Sequence, residues 1–358
     1  MHQPLYAIIP TLGLYYLSYY KKAKLEMSPL VSLYFYLLVT IVGFFILQSI
    51  FTLEVRLYSV KGILRYISYA LFLFTVVHFK TSKIELFFKY LAIFLVLSTP
   101  IAVFQFLDTG RYQNFFSHAN HLSHLIVITI YFVLRFSIFK TRVRWIVSIL
   151  LIFTLLLTRT SGAILMILLL GLHAFFTSKK ISFLNKLIIV TGPILAIVYI
   201  SINFADKIKY QISTLEYLQW EFIMRRVNDF KPGGYGSFIW RVVYWLKIIF
   251  SFMKESLFKI WFGVGVDTMT KGNMPYDYMY TDPHNDFLKV LVEFGYVGLL
   301  MFLNFLRRIY VIMSRNFAYI ILLFIPMFFD NAIVNFSFNL TFILLMVYDY
   351  KRNLQEEL

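Results

Sequence analysis

Pro-His-Asn-Asp-Phe-Leu-Lys-Val-Leu-Val-Glu-Phe-Gly-Tyr-Val-Gly-Leu-Leu, residues 283–300, joins a polar cluster directly to an apolar run of about one membrane span. Asn285 or Asp286 is suited to cap a helix starting here, and acid in the first turn suits the positive helix N-terminus. His284 is thereby placed at a boundary between water and hydrocarbon, beside that positive end. Imidazole is the side chain best matched to taking a proton near neutral pH. The alternative is an interfacial histidine that only helps the cap, and position alone leaves both readings open.

The rest of the chain supplies the membrane. Of 358 residues, 60% are hydrophobic and only 15% charged, with 40 Phe and 26 Tyr, and the mean hydropathy is +0.73. These values lie outside the range of soluble domains and suit lipid-facing helices with aromatic belts. The expected fold is all-α, a polytopic helical bundle. The net charge of +16 does not point to nucleic acid, because Lys and Arg fall in short clusters between apolar runs. No cysteine is present, which excludes disulfides, thiolate metal sites and cysteine nucleophiles. No basic segment precedes the first apolar stretch, so no cleavable signal peptide is expected.

Eleven spans are predicted, with ten or twelve as alternatives, near residues 4–20, 29–50, 62–79, 84–107, 118–139, 145–158, 161–177, 187–204, 285–306, 317–333 and 335–349. Alternate connections carry Lys21, Lys22 and Lys24; Lys80 and Lys83; Lys140, Arg142 and Arg144; Lys179, Lys180 and Lys186; Arg307, Arg308 and Arg315; and Lys351 and Arg352. The other short connections hold only Arg56, Lys61, Arg111 and Arg159. The positive-inside rule puts the first set in the cytoplasm. Residues 145–177 taken as one helix would be about 50 Å long, well beyond the hydrocarbon core. A hairpin breaking at Thr158-Arg159-Thr160-Ser161-Gly162 fits both that thickness and the flanking charges. The chain then divides into an N-terminal bundle over 1–204, a large external segment over 205–283, and C-terminal helices with a short tail over 284–358. Within the external segment, 213–230 reads as an amphipathic helix and 238–262 as a helix lying along the interface. Gly263-Val264-Gly265 makes a turn.

Four external features carry chemistry. Arg159, at the hairpin tip, suits phosphate recognition, or else snorkels to lipid headgroups. Arg241 lies among aromatics in Trp240-Arg241-Val242-Val243-Tyr244-Trp245, as an anion binder or an interfacial cation. His284-Asn285 is the third. Arg111, Asn114, His118, Asn120, His121 and His124 crowd the start of the fifth span. The three histidines share a helix face, but without a nearby carboxylate a polar cap lining a cavity is preferred to a zinc site. No phosphate loop, dinucleotide fingerprint or GxSxG elbow is present, and paired acids for a divalent metal are missing. Neither cofactor nor metal is expected.

These residues form an ordered series. Trp240-Arg241 and Trp245 lead to Phe262-Gly263-Val264-Gly265, then His284-Asn285-Asp286-Phe287-Leu288, Glu293-Phe294-Gly295 and Gly298-Leu299. The C-terminal half thus resembles the O-antigen ligase and O-antigen polymerase family of bacterial membrane glycosyltransferases. Phe116-Ser117-His118-Ala119-Asn120-His121-Leu122 and Thr158-Arg159-Thr160-Ser161-Gly162-Ala163 resemble two earlier family segments. In the second, the arginine precedes Thr-Ser where the family has it following a serine.

The resemblance implies a donor glycan on undecaprenyl pyrophosphate, at the outer face of the inner membrane. It implies Arg159 and Arg241 on the pyrophosphate and His284 on the acceptor hydroxyl. Asn285, Arg111, Asn120, Trp240 and Trp245 would contact substrate, and apolar grooves between spans would hold the lipid tail. The acceptor would be a lipid-linked repeat unit for a polymerase, or lipid A-core for a ligase. Membrane lipid, a chain-length regulator and a flippase are the further partners implied. The polymerase is preferred because such proteins diverge outside these motifs, as the N-terminal half does. A transporter of lipid-linked glycans is a second alternative, disfavoured because the polar residues cluster externally and not at the midplane.

Overall fold

The computed structural model describes residues 29–52, 57–110, 112, 119–177, 237–269, 275, 276, 279 and 282–356. The expected spans near 4–20 and 187–204, the helix over 213–230 and Arg111 lie outside the described residues, as does the side chain of Trp240. Regular structure among the described residues is helical throughout.

Helix α1 (Pro29–Thr52) opens on a proline, whose fixed φ suits a first helical position. Helix α2 (Leu57–Val77) follows. The single span expected over 84–107 is bent by 45° between α3 (Thr81–Leu97) and α4 (Thr99–Thr109). Pro100 stands at the start of α4, where its ring and missing N–H stop the preceding helix from continuing straight. Helix α5 spans Ala119–Phe136, α6 Thr141–Leu157 and α7 Ser161–Thr177. The turn between α6 and α7 falls at 158–160, where the length of the apolar run required one, with Arg159 at φ 51°.

The helix expected over 238–262 is two, α8 (Ser237–Phe252) and α9 (Leu257–Phe262). Ser256 ends the interruption by accepting the backbone N–H of Lys259 at 3.5 Å, a weak N-cap. Helix α10 (Asp286–Ile312) is capped by Asn285, whose Oδ1 accepts the N–H of Leu288 at 2.9 Å. Helix α11 stops at Phe329 after starting at Phe317, and α12 runs Phe336–Glu356, so residues 330–335 form a polar turn. Pro29–Phe51, Ser59–Val77 and Ala119–Phe136 are long and apolar enough to cross a membrane, and the bent α3–α4 pair makes a fourth.

The helices run alternately between two chemically different ends. At one end, Arg135 Nη2 reaches both Asp349 oxygens at 3.2 Å, and Tyr319 Oη donates to Asp349 at 2.7 Å. Lys351 Nζ donates to the carbonyl of Phe79 at 2.7 Å, and Arg308 lies over Tyr36. Among the described residues, the basic connections after α2, α5 and α10 and the basic end of α12 thus lie toward this end. The other end collects the starts of α5, α7 and α10 and the α11–α12 turn.

Two backbone crossings fix α10. A Cβ on Gly263 would lie 2.1 Å from the Glu293 carbonyl oxygen, and one on Gly295 would lie 2.3 Å from that of Trp261. Both glycines have positive φ, 90° and 70°, and Gly295 interrupts α10. Only glycine satisfies the space and the conformation together. Val264 N donates to Val292 O at 2.8 Å across the contact. Gln48 of α1 closes it, donating to Phe262 O at 2.6 Å and Glu293 O at 2.8 Å and accepting Val266 N at 3.2 Å. Below this crossing, an apolar pocket lies among α1, α2, α10, α11 and α12. It extends from Val290 and Ile333 at the polar end to Tyr36 and Ile309 at the basic end.

Gly263→Ala and Gly295→Ala are each expected to cost several kcal/mol, enough to remove most folded protein at a typical stability of ~5–15 kcal/mol. Gly171→Ala, in a helix and with nothing within 4 Å of its Cβ, is expected to be neutral or to stabilise by up to ~1 kcal/mol. Folded yield in detergent by size exclusion compares the three.

Candidate functional site

The site is built where α10 begins. His284 sits immediately before the cap, in the left-handed region at φ 50°. Histidine tolerates this region better than most residues, but holding it there requires support from its neighbours. Asn285 supplies one side of that support by capping α10. Trp245 supplies the other, since its indole N–H donates to the carbonyl of Pro283 and its ring packs edge-on against Phe328 at 5.5 Å. Trp245 therefore ties α8 to both His284 and the end of α11. Arg241 lies one turn earlier on the same face of α8, about 6 Å away along the helix.

The imidazole of His284 is turned toward a buried acid. Its Nδ1 lies 3.4 Å from Asp330 Oδ1, with the His284 side chain 31% exposed and Asp330 7%. Asn331 Nδ2 lies 3.4 Å from the same nitrogen and donates to Asp282 Oδ2 at 3.3 Å. Burial alone would raise the Asp330 carboxyl. The hydrogen bond to His284 and the charges of His124, His284 and His121 instead hold it well below the usual carboxylate range. A carboxylate on Nδ1 orients the ring and stabilises the imidazolium that forms when the other nitrogen takes a proton. Asp286, fully buried, accepts the N–H of Ile333 at 2.8 Å and so holds the 330–335 turn against α10.

A second group of the expected residues meets at the start of α5 and the α6–α7 turn. Thr160 Oγ1 donates to Asn120 Oδ1 at 3.4 Å. The Arg159 guanidinium is exposed and stacks over Phe106 at 4.8 Å. Tyr112 fastens the turn from below, its N–H donating to Leu157 O and its hydroxyl to Ser98 Oγ, both at 3.0 Å. Asn120 is one turn before His124, which faces Asp330. His284, Asn285 and Trp245 thus meet, with Arg241 one turn from Trp245 on α8, while Thr160 joins Asn120 of α5 and Arg159 beside it turns to Phe106.

Under the site lies a charge cluster that the sequence did not assemble. Arg65 Nη1 is 3.2 Å from Asp267 Oδ1, and Lys289 Nζ is 3.7 Å from Asp267 and 3.2 Å from Glu293. Glu293 Oε1 also accepts the N–H of Met269 at 2.9 Å. Two cations and two anions, all buried, form a neutral set in which every member has an opposite charge. The sequence reading also missed Asp330 and Asn331, because it placed them inside a span. An ionisable residue within an apolar run was the available signal.

Removing Lys289 leaves the buried Glu293 carboxylate without its opposite charge and Asp267 with Arg65 alone. Lys289→Met is therefore expected to cost about 3–5 kcal/mol. Pairing it with Asp267→Asn should cost less than the two single changes added together. Unfolding titrations in mixed micelles measure all three variants, and strict additivity would show that the charges do not act as a unit.

Residues 146–303 match the O-antigen ligase family model, a stretch that takes in Arg159, Arg241, Trp245, His284 and Asn285 and stops before Asp330. No curated protein matches the chain.

Proposed function

With residues 146–303 belonging to the O-antigen ligase family, whose members are glycosyltransferase-type enzymes acting on lipid-linked glycans and acceptors, we propose that this membrane protein is a polysaccharide polymerase. It joins repeat units carried on undecaprenyl pyrophosphate at the outer face of the bacterial inner membrane. The gathering of basic connections at the end opposite His284 supports that orientation. The observation that carries the chemistry is the imidazole of His284 with Nδ1 turned to buried Asp330.

In this reading His284 Nε2 takes the proton of the acceptor hydroxyl as its oxygen bonds to the anomeric carbon of the donor. The bond from that carbon to the pyrophosphate oxygen breaks on the opposite face, and its electron pair leaves with the pyrophosphate. The anomeric configuration inverts. Arg241 and Arg159 bind the pyrophosphate and stabilise the charge it gains, the kind of preorganised electrostatic term that dominates many enzymes. Asp330 stabilises the imidazolium. Asn285 fixes the His284 backbone, and Trp245, Trp240, Arg111 and Asn120 contact glycan. The apolar pocket beside α10 accommodates part of the lipid chain.

A ligase that transfers finished polysaccharide to lipid A-core is the second reading, favoured by the description of the matched domain. Deleting the gene in its host and comparing surface glycolipids with the carrier-lipid pool on gels separates the two. Core capped by a single repeat, with the ladder gone, is the polymerase result. Bare core with long chains still on the carrier is the ligase result, and an intact ladder contradicts both. In the complemented strain, His284→Ala is expected to lower product by 10²-fold or more, the usual span for a general base. Asp330→Asn, which removes the charge behind the imidazole, is expected to lower it about tenfold or more.

A further inference from the structure

Taking His284 as the proton acceptor of the proposed reaction, the site contains a second imidazole that this role leaves unused. His124 on α5 is 2% exposed and packs edge-on against Phe338, with ring centroids 5.7 Å apart. Its Nδ1 faces Asp330 Oδ2 at 3.9 Å. Neither atom has a hydrogen-bond partner among the described residues. A buried donor and a buried acceptor that face each other, about 1 Å beyond bonding distance, each gain a partner if they close. Asp330 thus stands between two imidazoles, Oδ1 toward His284 and Oδ2 toward His124.

We propose that His124 is a positioning residue for the transfer reaction: its Nδ1–H closes on Asp330 Oδ2 and keeps Oδ1 aimed at His284 Nδ1. A carboxylate carried on a single side-chain bond can rotate, and one contact at 3.4 Å leaves its plane free. A second contact on the other oxygen fixes that plane. The charged and titratable groups around this pair are Asp282 and His284 before α10, Asp286 at its start, and His121 one turn earlier on α5. Asn331 and Asn120 are the neutral polar neighbours. A carboxylate aimed at Nδ1 holds the ring in one orientation, so its loss leaves the other nitrogen less well placed toward the acceptor hydroxyl.

The test separates this role from space filling by using two replacements of opposite character. His124→Phe keeps a ring against Phe338 and removes the N–H. His124→Asn loses the ring but places an amide nitrogen close to the position of Nδ1. Each is introduced into a deletion strain alongside His284→Ala, and surface polymer is measured. The purified full-length variants in lipid nanodiscs are treated with diethyl pyrocarbonate, which acylates unprotonated imidazole, and the His284 peptide is followed by mass spectrometry between about pH 5 and 8. His124→Phe is expected to lower polymer about tenfold, a fraction of the effect of losing the base itself. It is also expected to shift the pH dependence of His284 acylation toward lower pH. His124→Asn is expected to restore both.

Polymer and midpoint unchanged in His124→Phe would overturn the proposal. So would equal loss of folded protein in both variants with no shift of midpoint, which is what a packing role gives. If His284→Ala loses polymer and His124→Phe does not, only the role of His124 falls. If His284→Ala keeps polymer, the assignment of the base falls and takes this role with it.

Discussion

The crossing of Gly263 over Glu293 and of Gly295 over Trp261 is the constraint on which the rest of the site depends. It brings two backbones closer than any side chain permits, so α9 and α10 meet in one register only. That register sets where the first turn of α10 lies, and with it the position of Asn285 as cap and of His284 before it. Gln48 from α1 binds both strands of the crossing, and the Arg65–Asp267–Lys289–Glu293 set lies directly beneath. Ion pairs in such surroundings add little net stability, but each charge penalises any arrangement that separates it from its partners. The cluster therefore specifies the register that the glycines make available.

Asp330 links this rigid element to the other half of the bundle. It comes from the α11–α12 turn, held to α10 through Asp286 and Ile333, and it faces His284 just before α10 and His124 from α5. Three separate segments of chain thus meet at one carboxylate. Trp245 adds α8 by bonding to Pro283. In the proposed reading, the base is oriented from behind and its cations come from α8 and the α6–α7 turn.

The sequence disclosed what depends on local chemistry and concealed what depends on contact. A cap at Asn285 or Asp286 was legible because the apolar run follows at once, and the structure uses Asn285. The hairpin at Arg159 was legible because one helix of that length exceeds a membrane. Gly263 and Gly295 were visible as motif residues, but nothing in either motif says that the two are partners. Asp330 was concealed because the apolar run from Phe317 continues past it in composition, through Ala332, Ile333 and Val334, although the helix stops at Phe329. The break within 84–107 was missed because Pro100 was read as part of a continuous run. Arg65, Asp267 and Lys289 are isolated charges in sequence, and only the fold sets them against one another.

The most direct test of the central claim is a cryo-electron microscopy structure of the chain in nanodiscs with undecaprenyl pyrophosphate. The account requires diphosphate density at the end where α10 begins, contacting Arg241 and lying beside the exposed edge of His284, with the isoprenoid chain entering the cavity along Val290. Diphosphate bound at the opposite end, among Arg307, Arg308 and Arg315, or bound away from His284 altogether, would contradict it.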